Sequence, residues 1–212
     1  MGKVAKKSRK AKITRKTAEV DIKGEFNVDG SGKTLVKTPF EPLNHLLTLF
    51  AFHGLFDLKL EAKGDLQHHI IEDIGIALGK AFKDALGDKA GINRYGSFSV
   101  TMDKVVVEAN VDISGRTAFT GTITAENRKE ILAVLAADKF DDTNFTHDDA
   151  KEFLEAFIQH AGLSLVCNIK SGQGDLHHIL EALFKALGKA LDQATQIDPR
   201  RRGIPSTKGI ID

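Results

Sequence analysis

The amino-acid sequence predicts an α+β protein built from two similar halves. One line of sequence occurs twice: "HHIIEDIGIALGKAF" at 68–82 and "HHILEALFKALGKAL" at 177–191 share nine of fifteen residues. The match extends upstream, where "HGLFDLKLEAKGDLQHH" aligns with "HAGLSLVCNIKSGQGDLHH" if two residues are inserted. Each half also has segments of strand and helical periodicity in the same order. Duplication of a mixed strand-and-helix unit predicts two sheet-plus-helix halves related by approximate two-fold symmetry.

In the first half, "AEVDIKGEFNV" predicts a strand because Val20, Ile22 and Phe26 fall on one face. "DGSG" predicts a hairpin turn, with "KTLVKT" as its return strand. "LNHLLTLFAFHG" has helical spacing and ends at a glycine, and "FDLKLEAKG" alternates as a strand. Residues 68–86 predict a second helix, which Gly87 ends.

In the second half, "YGSFSVTMDKVVVEANVDISG" and "RTAFTGTIT" alternate as strands. "HDDAKEFLEAFIQHAG" predicts a helix, "LSLVCNIKSG" a strand, and residues 176–194 the last helix. The end of the chain has two prolines and no periodicity, so we expect a loop. The predicted organisation is a basic flexible tail at 1–13, a first half at 14–96, a second half at 97–195 and a C-terminal loop at 196–212.

The balance of charge argues against nucleic acid or a membrane as a partner. Lys and Arg number 30 and Asp and Glu 29. Half of the first twelve residues are Lys or Arg, but no aromatic residue is interleaved, so a solvated tail is favoured over a nucleic-acid arm. No apolar run has transmembrane length, and we expect a cytoplasmic protein. Cys167 is the only cysteine, which excludes an internal disulfide and a multi-cysteine zinc site.

The repeated line opens each time with His-His-x-x-Glu. On a helix, His68 and His69 both lie one turn from Glu72, at i, i+4 and i, i+3. Imidazole and carboxylate together suit a divalent first-row metal. A single such motif is more often a helix cap than a metal site, but packing gives little reason to keep two exposed histidines in both halves. The sequence therefore predicts metal ligation by both motifs; the second comprises His177, His178 and Glu181.

Each half offers one further candidate ligand. His45 and Glu152 lie eight residues before the matched pair His53 and His160. Glu152 alone would be interpreted as a solvated charge, and the repeat alignment is what favours a role; His147 is its rival. His53 and His160 are explained by favourable placement at helix C-termini.

Other motifs are sparse. The sequence has no Gly-rich nucleotide loop and no nucleophile elbow. Scattered cations, together with the "STKG" loop near the C-terminus, are a candidate phosphate clamp, because fixed N–H groups and cations are what a phosphate needs. These candidates are Arg94, Arg116, Lys185, Ser206 and Lys208.

These motifs resemble the imidazoleglycerol-phosphate dehydratase family of histidine biosynthesis. The resemblance covers the chain from about residue 14 onward, through "RKTAE", "HHIIEDIGIALG", "ALGDKAGINRYG", "VDISGR", "HHILEALFKAL" and "PSTKG". It implies two four-stranded halves of the ribosomal-S5 domain 2-like type, each with two helices. It also implies two manganese ions per active site and a shell of twenty-four subunits with sites between subunits. The implied reaction converts D-erythro-imidazole-glycerol phosphate to imidazole-acetol phosphate, and a ring with two nitrogens suits a pair of equivalent metals.

The resemblance also assigns roles by position. Glu19, in "RKTAE", matches an acid near the substrate diol, and the two motif glutamates complete the catalytic set of Glu19, Glu72 and Glu181. The phosphate candidates match residues that hold the substrate phosphate. Members of the family have two aspartates where this chain has Leu66 and Gln67, and a glutamine where it has Leu49. The alternative hypothesis is a non-catalytic scaffold of the same fold, stapled by metal. The implied metal ligands are His45, His68, His69, Glu72, Glu152, His177, His178 and Glu181.

Overall fold

A computed structural model describes residues 9–211 of the chain. Strands and helices follow one another in the order β1-β2-β3-α1-β4-α2 and then β5-β6-β7-α3-α4-β8-α5. The elements are β1 (Lys10–Lys16), β2 (Val20–Asn27), β3 (Thr34–Lys37), α1 (Glu41–His53), β4 (Asp57–Gly64), α2 (Gln67–Leu86), β5 (Tyr95–Met102), β6 (Val105–Asp112), β7 (Ala118–Ile123), α3 (Arg128–Ala137), α4 (His147–Ala161), β8 (Ser164–Gly172) and α5 (Leu176–Thr195).

The two halves form two four-stranded sheets of identical topology. Sheet 1 has the order β1-β2-β4-β3 and sheet 2 the order β5-β6-β8-β7. In each sheet the last strand pairs parallel with its neighbour and the other pairs are antiparallel. The predicted duplicated α+β fold is confirmed. The second half has one helix more than the two expected, because α3 lies within the connection from β7 to α4.

The hairpin predicted at "DGSG" is wrong. β3 does not return beside β2 but pairs parallel with β4. The cause is Asp57 at the start of β4, which accepts hydrogen bonds from the backbone N–H groups of Ser31 and Lys33 at 2.8 and 3.1 Å and from the Asn27 amide at 3.1 Å. These bonds hold the loop after β2 against the start of β4, so that β3 lies on the opposite side of β4 from β2. A parallel neighbour then requires the crossover that α1 supplies.

The basic tail predicted over residues 1–13 overlaps the first strand. β1 begins at Lys10 and pairs with β2 along its whole length, and Ile13 is fully buried. Arg9 donates to both carboxylate oxygens of Asp29 and to the carbonyl of Thr195. Residues 1–8, the rest of that prediction, lie outside the described residues. Sheet 2 begins at Tyr95, two residues before the boundary predicted for the second half.

The helices of the two halves pack against each other between the sheets. α2 lies on sheet 1 and against α4, while α5 lies on sheet 2 and against α1. Buried phenylalanines join the halves: the ring centroids of Phe50 and Phe157 are 5.9 Å apart, and those of Phe82 and Phe157 5.8 Å. Full burial of each such ring contributes roughly 1.5–3 kcal/mol. The two main helix pairs, α2 with α4 and α1 with α5, each contain one helix from each half.

Local sequence explains where the site helices begin. Thr146 and Asp149 form a reciprocal capping box at the start of α4, and Asp175 caps α5 by accepting from the His178 N–H. The histidine motifs thus fall in the first turns of α2 and α5. None of the helices within residues 9–211 is long and apolar enough to cross a membrane.

Candidate active site

The first candidate cluster lies where α1 crosses α5. His45 Nε2 lies 2.5 Å from Glu181 Oε1, and His177 Nε2 lies 3.0 Å from the same oxygen. A ligand atom of each of these three residues lies within 4.8 Å of the other two. Lys185, one turn further along α5, donates to the second oxygen of Glu181 at 2.5 Å. The structure thus brings His45 from the first half together with the His-His-x-x-Glu motif of the second.

The carboxylate at the centre of this cluster is held ionised. Glu181 is buried, which raises its pKa, but hydrogen bonds from Lys185, His45 and His177 outweigh burial and lower the pKa to about 2. Burial lowers the pKa of His177, whereas its hydrogen bonds to Asp141 and Glu181 raise it, and the net shift is upward. The ionised Glu181 carboxylate thus faces two imidazole nitrogens with one oxygen and the Lys185 ammonium with the other.

The second candidate cluster lies where α4 crosses α2. Burial and the nearby negative charge of Glu72 raise the pKa of Glu152, while His68 lowers it, so these three side chains share one region. His147, the rival of Glu152, instead contacts Asp148 and lies with Lys151 on the α4 face toward β7. The repeat alignment and the structure therefore place Glu152 beside α2 as His45 is placed beside α5.

The second histidine of each motif points to a different carboxylate. His69 Nδ1 lies 2.9 Å from Asp65 and 3.8 Å from Glu19 Oε2. His178 Nδ1 lies 2.6 Å from Asp175, and its Nε2 lies 3.2 Å from Asp103. Glu19 precedes β2 and Asp103 precedes β6, so each acid occupies a turn before the matching strand. Glu19 is thus close to a histidine motif from which fifty residues of sequence separate it.

Sequence reasoning missed these supporting aspartates. Two aspartates expected at the positions of Leu66 and Gln67 are absent, but Asp65 and Asp175 hold the same imidazole nitrogen in the two halves. A metal-binding histidine usually gives its second ring N–H to such a group. The signal was present in the repeat, because Gly-Asp-Leu precedes both motifs. Asp103 had no comparable signal in the sequence. It lies in the turn between β5 and β6, and periodicity does not single out a residue in a turn.

The phosphate candidates lie in two places. Arg94 donates to both oxygens of Asp112 at 2.6 and 3.0 Å and to the carbonyl of Pro205 at 3.0 Å, next to Ser206. Lys208 N–H donates to the Ser206 hydroxyl, while the Arg116 side chain is exposed in the loop after β6. Lys185 lies apart from them, at the α5 cluster.

The distance between these two places is set by α5. The N–H of Arg94 donates to the carbonyl of Ala194, in the last turn of that helix. Thirteen residues separate Ala194 from Glu181, which corresponds to roughly 20 Å along a helix axis. One copy of the chain therefore does not bring its Arg94 and Ser206 to its own α5 histidines.

The two clusters fit divalent metal ions by the chemistry of their donors. Each combines imidazole nitrogens with carboxylate oxygens, the set that first-row divalent ions accept. In the α5 cluster the three donor atoms already converge within 4.8 Å. Aspartates on Nδ1 of His69 and His178 leave Nε2 as the ligand atom of each ring.

The structure and sequence match a known family. The sequence profile of imidazoleglycerol-phosphate dehydratase matches residues 38–191. An imidazoleglycerol-phosphate dehydratase from Pelobacter propionicus is 46% identical over 207 residues, which are 96% of this chain and 100% of that protein. One from Thermoanaerobacter sp. is 47% identical over 206 residues, again 96% and 100% of the two chains. The crystal structure of the enzyme from Pyrococcus furiosus in complex with (S)-C348 has a TM-score of 0.72 and 32% identity, and the match covers 92% of this chain and 98% of that one.

These likenesses, with the duplicated fold and its histidine–carboxylate clusters, define an enzyme of the hydro-lyase class. The chain belongs to the imidazoleglycerol-phosphate dehydratase family.

Proposed function

We propose that this protein dehydrates D-erythro-imidazole-glycerol phosphate to imidazole-acetol phosphate, in histidine biosynthesis in the cytoplasm. The observation that carries the proposal is the pair of matched histidine–carboxylate clusters in a chain of this family. A substrate ring with two nitrogens presents a donor on each nitrogen in its imidazolate form, and the duplicated motifs present two similar metal sites. The proposal thus gives the internal repeat a chemical purpose.

We further propose that two divalent ions, of manganese in particular, are bound per chain. His45, His177 and Glu181 would hold one ion, and Glu152, His68 and Glu72 the other, with His69 and His178 as the remaining ligands. When bound, the ions supply Lewis-acid stabilisation of negative charge on the substrate ring.

The protein's own groups hold these ligands and move the proton. Asp65 and Asp175 each hold Nδ1 of a histidine, which fixes the ring orientation. Overall, the reaction removes a hydroxyl group and a carbon-bound proton as water, and a positioned carboxylate can accept that proton. Glu19 is the exposed acid beside His69, at 3.8 Å, whereas Glu181 is committed to three cationic or imidazole partners. Glu19 is therefore the proposed base.

A second copy of the chain would complete each site. The phosphate candidates around Arg94 lie roughly 20 Å from the α5 cluster along the helix axis, too far for one small substrate to reach both. We therefore propose that Arg94, Arg116, Ser206 and Lys208 of one copy hold the phosphate of a substrate bound at the histidines of another. A closed assembly of twenty-four copies is the arrangement that the sequence resemblance implies.

The test is turnover by purified protein. Protein stripped with a chelator and reloaded with Mn²⁺ is incubated with imidazole-glycerol phosphate, and the loss of one water is followed by mass spectrometry. We expect product from the reloaded protein and none from the stripped protein. Particle mass is measured by light scattering on both samples. An assembled, metal-loaded protein that forms no product would instead identify a metal-stapled scaffold.

A further inference from the structure

The loop between β7 and α4 contacts the α5 cluster, and the first half has no loop that corresponds to it. The connection from β3 to α1 comprises only residues 38–40, whereas the connection from β7 to α4 spans residues 124–146 and contains α3. The sequence predicted no element in this stretch. Its last part, residues 138–146, returns the chain from α3 to α4 and passes over the start of α5. We call residues 138–146 the β7–α4 arm.

The arm places two side chains on His177. Both carboxylate oxygens of Asp141 lie 2.9 Å from His177 Nδ1. The ring of Phe140 stacks on the imidazole with a centroid distance of 4.4 Å and an interplanar angle of 16°, and it makes an edge-type contact with the His45 ring at 6.3 Å. One side chain thus fixes the in-plane direction of the imidazole, and the other fixes its plane.

The arm is built to hold this position. Phe140 is buried, its N–H donates to the Phe145 carbonyl at 2.8 Å, and its carbonyl accepts from the Thr143 hydroxyl at 2.6 Å. Thr146 then begins α4 through the capping box. Asp141 has a φ of +51°, a left-handed conformation that costs free energy in a residue other than glycine. A strained residue that is fixed on both sides and directed at a candidate ligand indicates a functional constraint.

The matched histidine of the first half lacks this support. His68 corresponds to His177 in the repeat. Within residues 9–211, no carboxylate lies within hydrogen-bonding distance of the His68 ring, and its close ring neighbour is His69, at a centroid distance of 4.3 Å. The α5 cluster also has Lys185 where α2 has Ile76. The two clusters therefore differ in the groups that surround equivalent ligands.

We propose that Asp141 and Phe140 are positioning residues that make the α5 metal site the tighter of two unequal sites. The His177 Nδ1–H donates to Asp141, which leaves Nε2 as the ligand atom and directs it toward Glu181 and His45. A ring whose Nδ1 is held by a carboxylate and whose plane is fixed by a stacked aromatic ring loses less freedom when the ion binds at Nε2. This inference rests on the proposed metal dependence of the enzyme. It adds that the ions are bound unequally and names the residues responsible.

The test compares Asp141→Asn with Asp142→Asn. Asp142 is the adjacent exposed aspartate on the same arm, so its substitution removes the same charge without touching His177. Metal-free assembled protein is titrated with Mn²⁺ against a competing chelator, and elemental analysis gives the bound ions per chain. We expect wild type and Asp142→Asn to show one tighter and one weaker ion. Asp141→Asn should weaken the tighter ion by about 10- to 100-fold, the usual effect of losing such a support, and leave the other unchanged.

Two further measurements separate positioning from folding. The melting temperature of metal-free Asp141→Asn should match that of Asp142→Asn, because an exposed hydrogen-bonded pair contributes little to stability. Phe140→Leu, which keeps an apolar side chain, should weaken the same ion. Equal affinities of the two ions in wild type, or an Asp141→Asn protein that binds both as wild type does, would overturn the inference and leave the proposed function standing. A wild type that binds no Mn²⁺ at all would overturn both.

Discussion

His45 and Glu181 meet across the two halves of the chain: Nε2 of His45 lies 2.5 Å from Oε1 of Glu181, although 136 residues separate them in sequence. Their contact depends on how closely α1 approaches α5. Gly188 of α5 lies directly against the backbone carbonyl of Phe50 in α1, and the equivalent Gly79 of α2 lies against that of Phe157 in α4. The candidate clusters therefore depend on two matched glycines deeper in the helix pairs.

We expect Gly79→Ala and Gly188→Ala each to destabilise the protein by roughly 1–3 kcal/mol, the usual effect of overpacking. A Cβ on Gly79 would lie 2.5 Å from the Phe157 carbonyl oxygen, which cannot move without shifting α4. The free energy of unfolding of metal-free protein, from denaturant titration, measures the effect. Gly121→Ala is the control, since its Cβ would have its nearest neighbour, Cys167 Sγ, at 3.8 Å. A loss at Gly121 equal to that at Gly79 would refute the packing argument.

Glu152→Ala should weaken the binding of one Mn²⁺ by at least about 10- to 100-fold, while His147→Ala should leave both ions in place. Glu152 shares a region with Glu72 and His68, whereas His147 lies on the face of α4 toward β7. Equilibrium dialysis of the two variants beside wild type is the measurement. The reverse result would shift the alignment of the repeats by five residues.

Glu19→Gln should lower turnover by about 10²–10⁴, the contribution of a positioned acid–base group. Glutamine keeps the shape and hydrogen-bonding reach of Glu19 but cannot accept a proton. Metal content and particle mass should be unchanged. Glu61→Gln, at another exposed glutamate of sheet 1, should retain normal turnover. Loss of metal together with activity in Glu19→Gln would make Glu19 a ligand or structural residue instead of the base.

Cys167 should resist alkylation in the folded protein. Burial raises the pKa of its thiol to about 11, so at pH 8 the thiolate fraction is about two hundredfold lower than for a free cysteine of pKa about 8.5. The rate of iodoacetamide labelling, followed by mass spectrometry, should be reduced by at least that factor in folded protein and restored in guanidinium chloride. Labelling of the native protein at the free-cysteine rate would show that β8 is accessible.

Much of the arrangement of the two clusters was predictable from sequence, because the two halves of a repeat can be aligned with each other. Matching the two lines located α2 and α5 and paired His45 with Glu152. The structure then placed the first beside Glu181 and the second beside Glu72. His45 meets Glu181, and Glu152 meets Glu72, because helices from opposite halves pack together. Aligning two segments of sequence does not show which helix packs on which.

The features that were missed are non-local. The parallel pairing of β3 depends on Asp57, which lies twenty-four residues beyond the loop that it holds. α3 buries only Ile131, so its apolar face is too narrow to give helical periodicity. Asp141 lies in a stretch without a counterpart, where the repeat gives no guidance. Each of these features depends on a contact with a residue that is distant in sequence, and the local sequence does not identify that residue.

The packing of helices from opposite halves explains why one half could not form either cluster alone. A single half contains α1 and α2 but neither α4 nor α5, so it lacks the partner that would complete either cluster. A half-length chain would therefore form such clusters only in a symmetric pair of molecules, and the two centres would then be identical. In a single chain the two halves can differ in sequence, so the two centres can differ as well. The two centres differ in two places. α5 has Lys185 where α2 has Ile76, and the β7–α4 arm lies where the first half has a connection of three residues.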